Sequence, residues 1–148
     1  MRKILDTARS ATSWDPDLKE FVDELRILLK SADGKEASSA QIFFLGMSVG
    51  FYKGVKGPKS PRKSDAARFE YMSEMDVARM RMLAVAESAS ADVLVSDEDV
   101  IDIAEQYANG GLALMRAEQE TNPAFSSWLV TELFGQIESF SGHFPPEN

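Results

Sequence analysis

A loop in the first half of the chain carries a high density of positive charge. Five basic side chains fall within residues 53–63, which contain no acid: Lys53, Lys56, Lys59, Arg62 and Lys63. A lysine or arginine that neutralises a phosphate releases a counterion, which gives salt-sensitive affinity without sequence preference. This basic loop holds no aromatic residue on which a base could stack. The pattern predicts contact with the backbone of DNA or another polyanion, and ordinary solvated surface is the alternative.

The apolar segment that leads into the basic loop carries three glycines spaced four residues apart. Gly46, Gly50 and Gly54 would share one face of a helix, where another backbone or a ligand can approach closely. Each glycine in a helix interior costs about 1 kcal/mol relative to alanine, so the spacing indicates a use. We expect tight packing against a second helix, with a partner-binding face as the alternative.

A second small-residue sequence contains Tyr107, Asn109, Gly110 and Gly111. The two adjacent glycines should destabilise a helix by about 2 kcal/mol relative to alanines. The favoured interpretation is that they let the Gly46 and Gly50 face cross closely over this helix. The alternative is a kink at Asn109-Gly110 that opens backbone groups to a partner.

The remaining candidates for chemistry support neither catalysis nor metal binding. The chain has no Cys and one His, His143, so it lacks a thiolate nucleophile, a Cys-rich zinc site and a recognisable triad. Asp97, Asp99 and Asp102 resemble a calcium loop only superficially, because the glycine at the sixth position and the glutamate at the twelfth are absent. Helix capping is favoured for these aspartates. The sequence therefore predicts a non-enzymatic protein without a metal or cofactor.

Length and composition predict one domain. A chain of 148 residues with 44% hydrophobic side chains is long enough for one core and too short for two ordinary ones. We expect a single helical domain over 1–148, with loosely ordered termini at 1–14 and 141–148. The longest apolar run, 42–52, is about half of a membrane span, and the first residues lack a signal-peptide core. We expect a cytoplasmic protein with no membrane contact.

The formal net charge of -8 hides an asymmetry along the chain. Residues 1–63 hold 12 Lys and Arg against 8 Asp and Glu, whereas residues 64–148 hold 4 against 16. A segregated charge can present a basic patch, or can pair the chain head to tail with copies of itself as a homo-oligomer. Acidic surface that only keeps the protein soluble is the alternative.

Helix signals recur along the chain, and strand signals are rare. Residues 67–72 alternate apolar and charged side chains and predict a short strand or extended arm, and residues 91–95 predict an extended connection, so that the two are candidates for a hairpin. Cap patterns and apolar periodicity predict an all-α domain of about five helices: from Asp15-Pro16 to about Ala32, from about 39 to 53, from Ser73 to about Ala89, from Ser96 through Met115, and from Asn122-Pro123 to about Phe140.

Three stretches of the chain resemble a known family. The sequences LGMSVGFYKGVKGP, RFEYM and IAEQYANGGLALM are similar to the small proteins encoded beside DNA phosphorothioation genes, the dnd system-associated family. The similarity covers about Ile42 to Met115. It is most specific at Gly50-Phe51 with the basic residues that follow, and at Glu105 to Leu112. The resemblance implies a role in a bacterial DNA-modification or phage-restriction locus, in which sulfur replaces a non-bridging phosphate oxygen, and it carries over no catalytic residue.

Two classes of function remain besides a catalytic subunit, which would require a buried carboxylate cluster. The favoured one is a non-enzymatic accessory or adaptor protein of such a system, which binds a larger protein partner and contacts the DNA backbone through the basic loop. The alternative is a small transcriptional regulator or antitoxin-like DNA binder. That alternative requires a basic recognition helix, whereas the helices predicted after residue 73 are acidic or neutral.

Overall fold

The computed structural model of the protein describes residues 5–132. The elements run in the order β1 (Ala11–Ser13), α1 (Lys19–Leu28), α2 (Ser39–Lys53), β2 (Asp65–Arg68), α3 (Glu74–Ser88) and α4 (Asp97–Thr121). A fifth helix, α5, occupies residues 125–132. Short 3-10 turns precede α1, α3 and α4, at Pro16–Leu18, Phe69–Tyr71 and Ala91–Val95. The predicted all-α fold of about five helices is confirmed.

Polar caps start the helices where the sequence predicts them. The Ser38 hydroxyl accepts a hydrogen bond from the Gln41 amide, and the Gln41 side chain accepts one from the Ser38 amide. Ser73 and Asp76 form the same reciprocal pair at the start of α3, and the Ser96 hydroxyl caps α4. Each cap satisfies amides that the first helical turn leaves without a partner. The bounds of α2 and α3 therefore lie within one residue of the predicted ones.

Three local predictions differ from the structure. Helix α1 ends at Leu28 rather than near Ala32, because the chain turns back and the Ser31 amide donates to the Lys35 carbonyl. The segment 91–95 is a 3-10 turn rather than an extended connection, and the Ser90 hydroxyl caps it through the Asp92 amide. The predicted strand near 67–72 begins earlier, at Asp65, and gives way to a 3-10 turn after Arg68.

Strand β2 pairs with the N-terminal segment and not with residues 91–95. It is antiparallel to β1, with Ala11 opposite Arg68 and Ser13 opposite Asp65. The sequence predicts loose order for residues 1–14, whereas residues 11–14 are buried and the Trp14 side chain is only 4% exposed. Apolar burial and ladder hydrogen bonds hold this segment. The predicted C-terminal loose segment and the predicted end of the fifth helix lie outside the described residues.

Helix α4 is the centre of the core. Its apolar face packs mainly against α2 and also against α3. The α4 residues on this face are fully buried: Val100, Ile101, Ala104, Ala108, Leu112 and Met115. Ile42, Phe43 and Val49 cover the face from α2, and Met80 covers it from α3. The other helices are thus positioned relative to α4.

Backbone meets backbone where α2 crosses α4. A Cβ atom on Gly46 would lie 2.6 Å from the Cγ of Leu112, and one on Gly50 would lie 3.0 Å from the Gly111 amide nitrogen. A Cβ on Gly111 would overlap the Gly46 carbonyl oxygen and lie 2.6 Å from the Gly50 nitrogen. No side chain fits in this crossing, so the helices approach as closely as their main chains allow.

Gly54 has a different role from the one that its spacing predicts. A Cβ atom placed on Gly54 would meet no other atom within 4 Å, so Gly54 does not take part in the crossing. Its φ of 69° is left-handed, and it caps the C-terminus of α2 through its amide and the carbonyls of Gly50 and Phe51. Glycine adopts this conformation without strain, so Gly54 ends the helix and turns the chain into the basic loop.

We expect Gly111→Ala to lower the free energy of unfolding by about 2 kcal/mol or more, although alanine favours helix. The added methyl group would force α2 away from α4. Urea unfolding followed by circular dichroism measures the loss.

Gly54→Ala is the control, because it strains the backbone by about 1 kcal/mol at a site with open space. A Gly111→Ala protein at least as stable as the wild type would contradict the close crossing.

Candidate functional site

Helix α4 presents a polar stripe to the N-terminal segment and to the basic loop. Glu98, Asp102, Glu105 and Asn109 are spaced four, three and four residues apart, which places them on one helical face. All four have hydrogen-bond or ion-pair partners on these two segments. The stripe therefore determines how the basic loop sits on the domain.

A buried ion pair occupies the middle of the stripe. The Glu105 carboxylate is 1% exposed and lies 2.5 Å from the Arg9 guanidinium. It also accepts hydrogen bonds from the Ser13 amide and, at 3.0 Å, from the Ser13 hydroxyl. A buried charge is tolerated when its partner and its hydrogen bonds are all in place. This pair fastens β1 to α4.

The sequence interpretation missed the Arg9–Glu105 pair. Arg9 belongs to a segment predicted to be loose, and Glu105 entered only through the family resemblance. One signal was available, because an acid at position 105 interrupts the apolar face of α4 between Ile101 and Ala108. An acid in a core register requires a buried cation.

Asn109 fastens the basic loop to the same helix. Its side chain is 1% exposed, accepts a hydrogen bond from the Asp15 amide at 2.8 Å and donates one to the Pro58 carbonyl at 3.0 Å. The Gly57 amide donates to the Gln106 carbonyl at 2.7 Å. Main chain of the loop lies directly on α4, since a Cβ on Gly110 would meet the Gly57 nitrogen at 2.8 Å.

The contacts of Gly110 and Gly111 support the packing interpretation over a kink at Asn109-Gly110. Helix α4 is continuous from Asp97 to Thr121, and both residues lie inside it. The two glycines serve two neighbours: Gly111 contacts α2, and Gly110 contacts the loop after α2.

Three of the five cations of the basic loop form ion pairs with carboxylates of this chain. Lys53 lies 2.9 Å from Glu132, and Lys56 lies 2.7 Å from Glu87. Arg62 lies 3.4 Å from Glu98 and 3.3 Å from Asp102. Lys59 and Lys63 are exposed and have no ion-pair partner in the part of the chain that the structure describes. These two are the cations of the basic loop that can bind a ligand without first leaving a carboxylate of this chain.

An aromatic side chain joins the start of the basic loop to the end of α3. The Tyr107 hydroxyl donates a hydrogen bond to Glu87, and the Lys56 ammonium lies 5.8 Å from the centre of the Tyr107 ring. The Phe51 ring packs edge-on against Tyr107 at 5.6 Å. Burial raises the pKa of Tyr107 to about 12, and the Glu87 carboxylate acts in the same direction. Hydrogen bonds from Lys56 and Tyr107 lower the pKa of Glu87.

Part of the charge asymmetry along the sequence is compensated in space. The paired cations Arg9, Lys53, Lys56 and Arg62 come from the basic half of the chain, and their carboxylate partners come from the acidic half. Folding thus brings side chains of the two halves together in ion pairs within the chain. Among the described residues, these four of the 12 cations of residues 1–63 pair with the acidic half, and head-to-tail association through charge stays a prediction.

Metal-binding groupings and membrane-crossing helices are both lacking among residues 5–132. Of the aspartates that resemble a calcium loop, Asp97 pairs with Arg81, Asp102 pairs with Arg62, and the Asp99 amide donates to the Ser96 cap. The Asp99 contact belongs to the helix cap that the sequence favours, whereas the side chains of Asp97 and Asp102 form ion pairs. His143 lies outside the described residues.

Comparison with known proteins gives one family. The model of the family described as DNA sulphur modification system-associated protein 4 matches residues 16–141. The matched range contains the whole similarity seen from Ile42 to Met115 and extends it in both directions. Searches of curated proteins and of solved structures gave no match.

We expect Glu105→Gln to lower the free energy of unfolding by about 3 kcal/mol, because it removes the nearer counter-charge of the largely buried Arg9 and leaves only Asp102, at 3.9 Å. Glu98→Gln is the control, since its pair with Arg62 is partly exposed and should contribute less than about 1 kcal/mol. Denaturant unfolding measures both. Equally small losses would show that solvent screens the Arg9–Glu105 pair.

The raised pKa of Tyr107 predicts a loss of stability at high pH. The folded protein holds the phenol proton more tightly than the unfolded chain, where the ordinary pKa is 10.0. This contribution is complete below pH 10 and disappears as the pH rises toward 12. Tyr107→Phe should therefore flatten the stability curve in that window, and its tyrosinate absorbance should lack the component near pH 12. Identical curves for the two proteins would refute the coupling.

Proposed function

Because the chain belongs to the family of DNA sulphur modification system-associated protein 4, we propose that it is a non-enzymatic accessory protein of a bacterial DNA phosphorothioation locus. In this proposal it acts in the cytoplasm within a restriction or phage-defence system. It binds a larger protein of that system and contacts the DNA backbone through the basic loop. Membership of the family supports the association with the system, and the chemistry of the loop supports the DNA contact.

One observation carries the proposed DNA contact: Lys59 and Lys63 are exposed cations without a carboxylate partner among the described residues, on a loop that is already held in place. Asn109 holds the Pro58 carbonyl, and the Ser60 hydroxyl bonds to that of Ser13 at 2.9 Å. A fixed loop loses little conformational entropy when it binds. The two lysines therefore offer prearranged phosphate contacts.

The same charges limit how tightly the loop alone binds DNA. Two phosphate contacts give a salt slope of only about -2, and such contacts read no sequence. Lys53, Lys56 and Arg62 must leave their own carboxylates before they add to it. Glu98 and Asp102 next to Arg62 repel a phosphate. The loop is thus suited to support DNA contact within a complex, and a protein partner supplies the main affinity.

The alternative, a transcriptional regulator or antitoxin-like binder, has less support. A recognition helix inserts a basic or hydrogen-bonding face into the major groove. Helix α4 begins with Asp97, Glu98 and Asp99, and its partly or fully exposed charged residues after the first turn are three acids and one cation: Asp102, Glu118, Glu120 and Arg116. The two arginines of α3, Arg79 and Arg81, pair with Asp76 and Asp97.

The DNA contact is tested by titrating labelled duplex DNA with the protein across a series of salt concentrations. Replacing both Lys59 and Lys63 with Gln should weaken binding at low salt and reduce the salt slope by about 2. Lys30→Gln with Lys35→Gln is the matched control, because both lysines are exposed and lie on another loop. Absence of salt-dependent binding by the wild type would remove the DNA contact and leave the adaptor role.

The adaptor role has a separate test. The tagged protein is co-expressed with the products of the neighbouring phosphorothioation genes, one at a time, and the complexes are measured by light scattering. A stoichiometric complex with one of these products is expected. If none forms with any product of the locus, the adaptor role fails whatever the result with DNA.

A further inference from the structure

Helix α3 is apolar on two opposite sides. One side faces the core through Val77, Met80, Leu83 and Ala84. On the other side, the Met75 side chain is 61% exposed and that of Met82 is 68% exposed. A surface helix normally carries one apolar stripe with polar residues opposite. The second stripe of α3 therefore has no use within the monomer as described.

The exposed stripe has the spacing of a helix-pairing seam. Met75, Ala78, Met82 and Val85 follow one another at intervals of three, four and three residues, the pattern of a and d positions in a coiled coil. We call these four residues the α3 seam. Ala78 and Val85 are partly exposed, and the small Ala78 lets a second helix approach closely.

Further apolar side chains stand at the ends of α3. Tyr71 is 79% exposed in the 3-10 turn before the helix, and Val95 is 90% exposed in the turn after it. With Met75, Met82 and Leu94, they make up half of the large hydrophobic side chains that are exposed between residues 5 and 132. An apolar concentration on one short segment indicates a protein contact, and methionine adapts readily to an opposing surface.

We propose that the α3 seam pairs with the α3 seam of a second copy of this chain, in a parallel two-fold arrangement. In a parallel pair, each g position lies against the e position five residues further along the other helix. In this seam, Glu74 is the g position before Met75, and Arg79 is the e position after Ala78. The rule therefore places Glu74 of each copy opposite Arg79 of the other. The charges beside the seam of one copy are thus complementary to those beside the seam of the other copy.

The antiparallel arrangement is disfavoured by the same side chains. Antiparallel pairing brings e positions together and g positions together. Arg79, whose side chain is exposed, would face Arg79 of the other copy. Like charges across a helix pair are destabilising, so the seam selects the parallel orientation.

The pairing is weak and depends on concentration, because α3 has only 15 residues. The pairing of the α3 seams involves no residue of the basic loop. Its test is therefore independent of the test of the proposed DNA contact. The pairing also rests on apolar contact and not on the charge asymmetry of the two halves of the sequence.

Sedimentation equilibrium from about 1 to 500 μM protein tests the pairing over the range expected for a small interface. We expect a reversible monomer–dimer equilibrium, which Met82→Glu weakens at least tenfold. Ile27→Glu is the control: Ile27 is an exposed apolar residue of α1 outside the seam, and its replacement should leave the equilibrium unchanged. A wild type that stays monomeric throughout overturns the proposal. If that monomer binds a locus protein through the seam, the occupant is another protein.

Disulfide trapping tests the orientation, since the chain has no cysteine of its own. In a parallel pair, Ala78 faces Ala78, so Ala78→Cys alone should give a covalent dimer under mild oxidation. In an antiparallel pair, position 78 faces position 82. Covalent dimers that form only when Ala78→Cys and Met82→Cys proteins are mixed would overturn the parallel arrangement.

Discussion

The absence of a Cβ atom at the crossing of α2 and α4 is the constraint on which the fold depends. Gly50 and Gly111 place two main chains in contact, so the distance between the helices is fixed by backbone and not by side-chain packing. Because α2 ends there with Gly54 in the left-handed conformation, the chain after it is laid on the next turns of α4. Asn109 and Gly110 then meet the loop at hydrogen-bonding distance.

Helix α4 thus contacts four neighbours with two kinds of surface. Its small and apolar residues pack against α2 and α3, and its polar stripe forms hydrogen bonds with β1 and the basic loop. Polar groups that are buried and fully hydrogen-bonded specify one arrangement more sharply than apolar contact does. The loop is therefore presented in a defined position, although three of its cations are occupied by carboxylates of the chain itself.

The parts that the sequence predicts well are those with local causes. Ser38 and Gln41 sit three residues apart and start α2 by themselves, and the glycine spacing indicates a close crossing before any partner is known. The parts that it misses depend on residues far apart in the chain. Arg9 and Glu105 are separated by 96 residues, and nothing near either one reveals the other. For Gly54, the spacing suggested a packing face, whereas the φ angle gave it the role of a helix cap.

The wide separation between β1 and its partners also bears on the order in which the domain is made. Glu105 and Asn109, which hold this region, are synthesised more than ninety residues after their partners Arg9 and Asp15. At ordinary elongation speeds of roughly 5–20 residues per second, the Trp14 side chain remains without its final burial site for several seconds. The N-terminal segment therefore gains its contacts with α4 only after that helix has been made, whereas its ladder partner β2 is synthesised earlier.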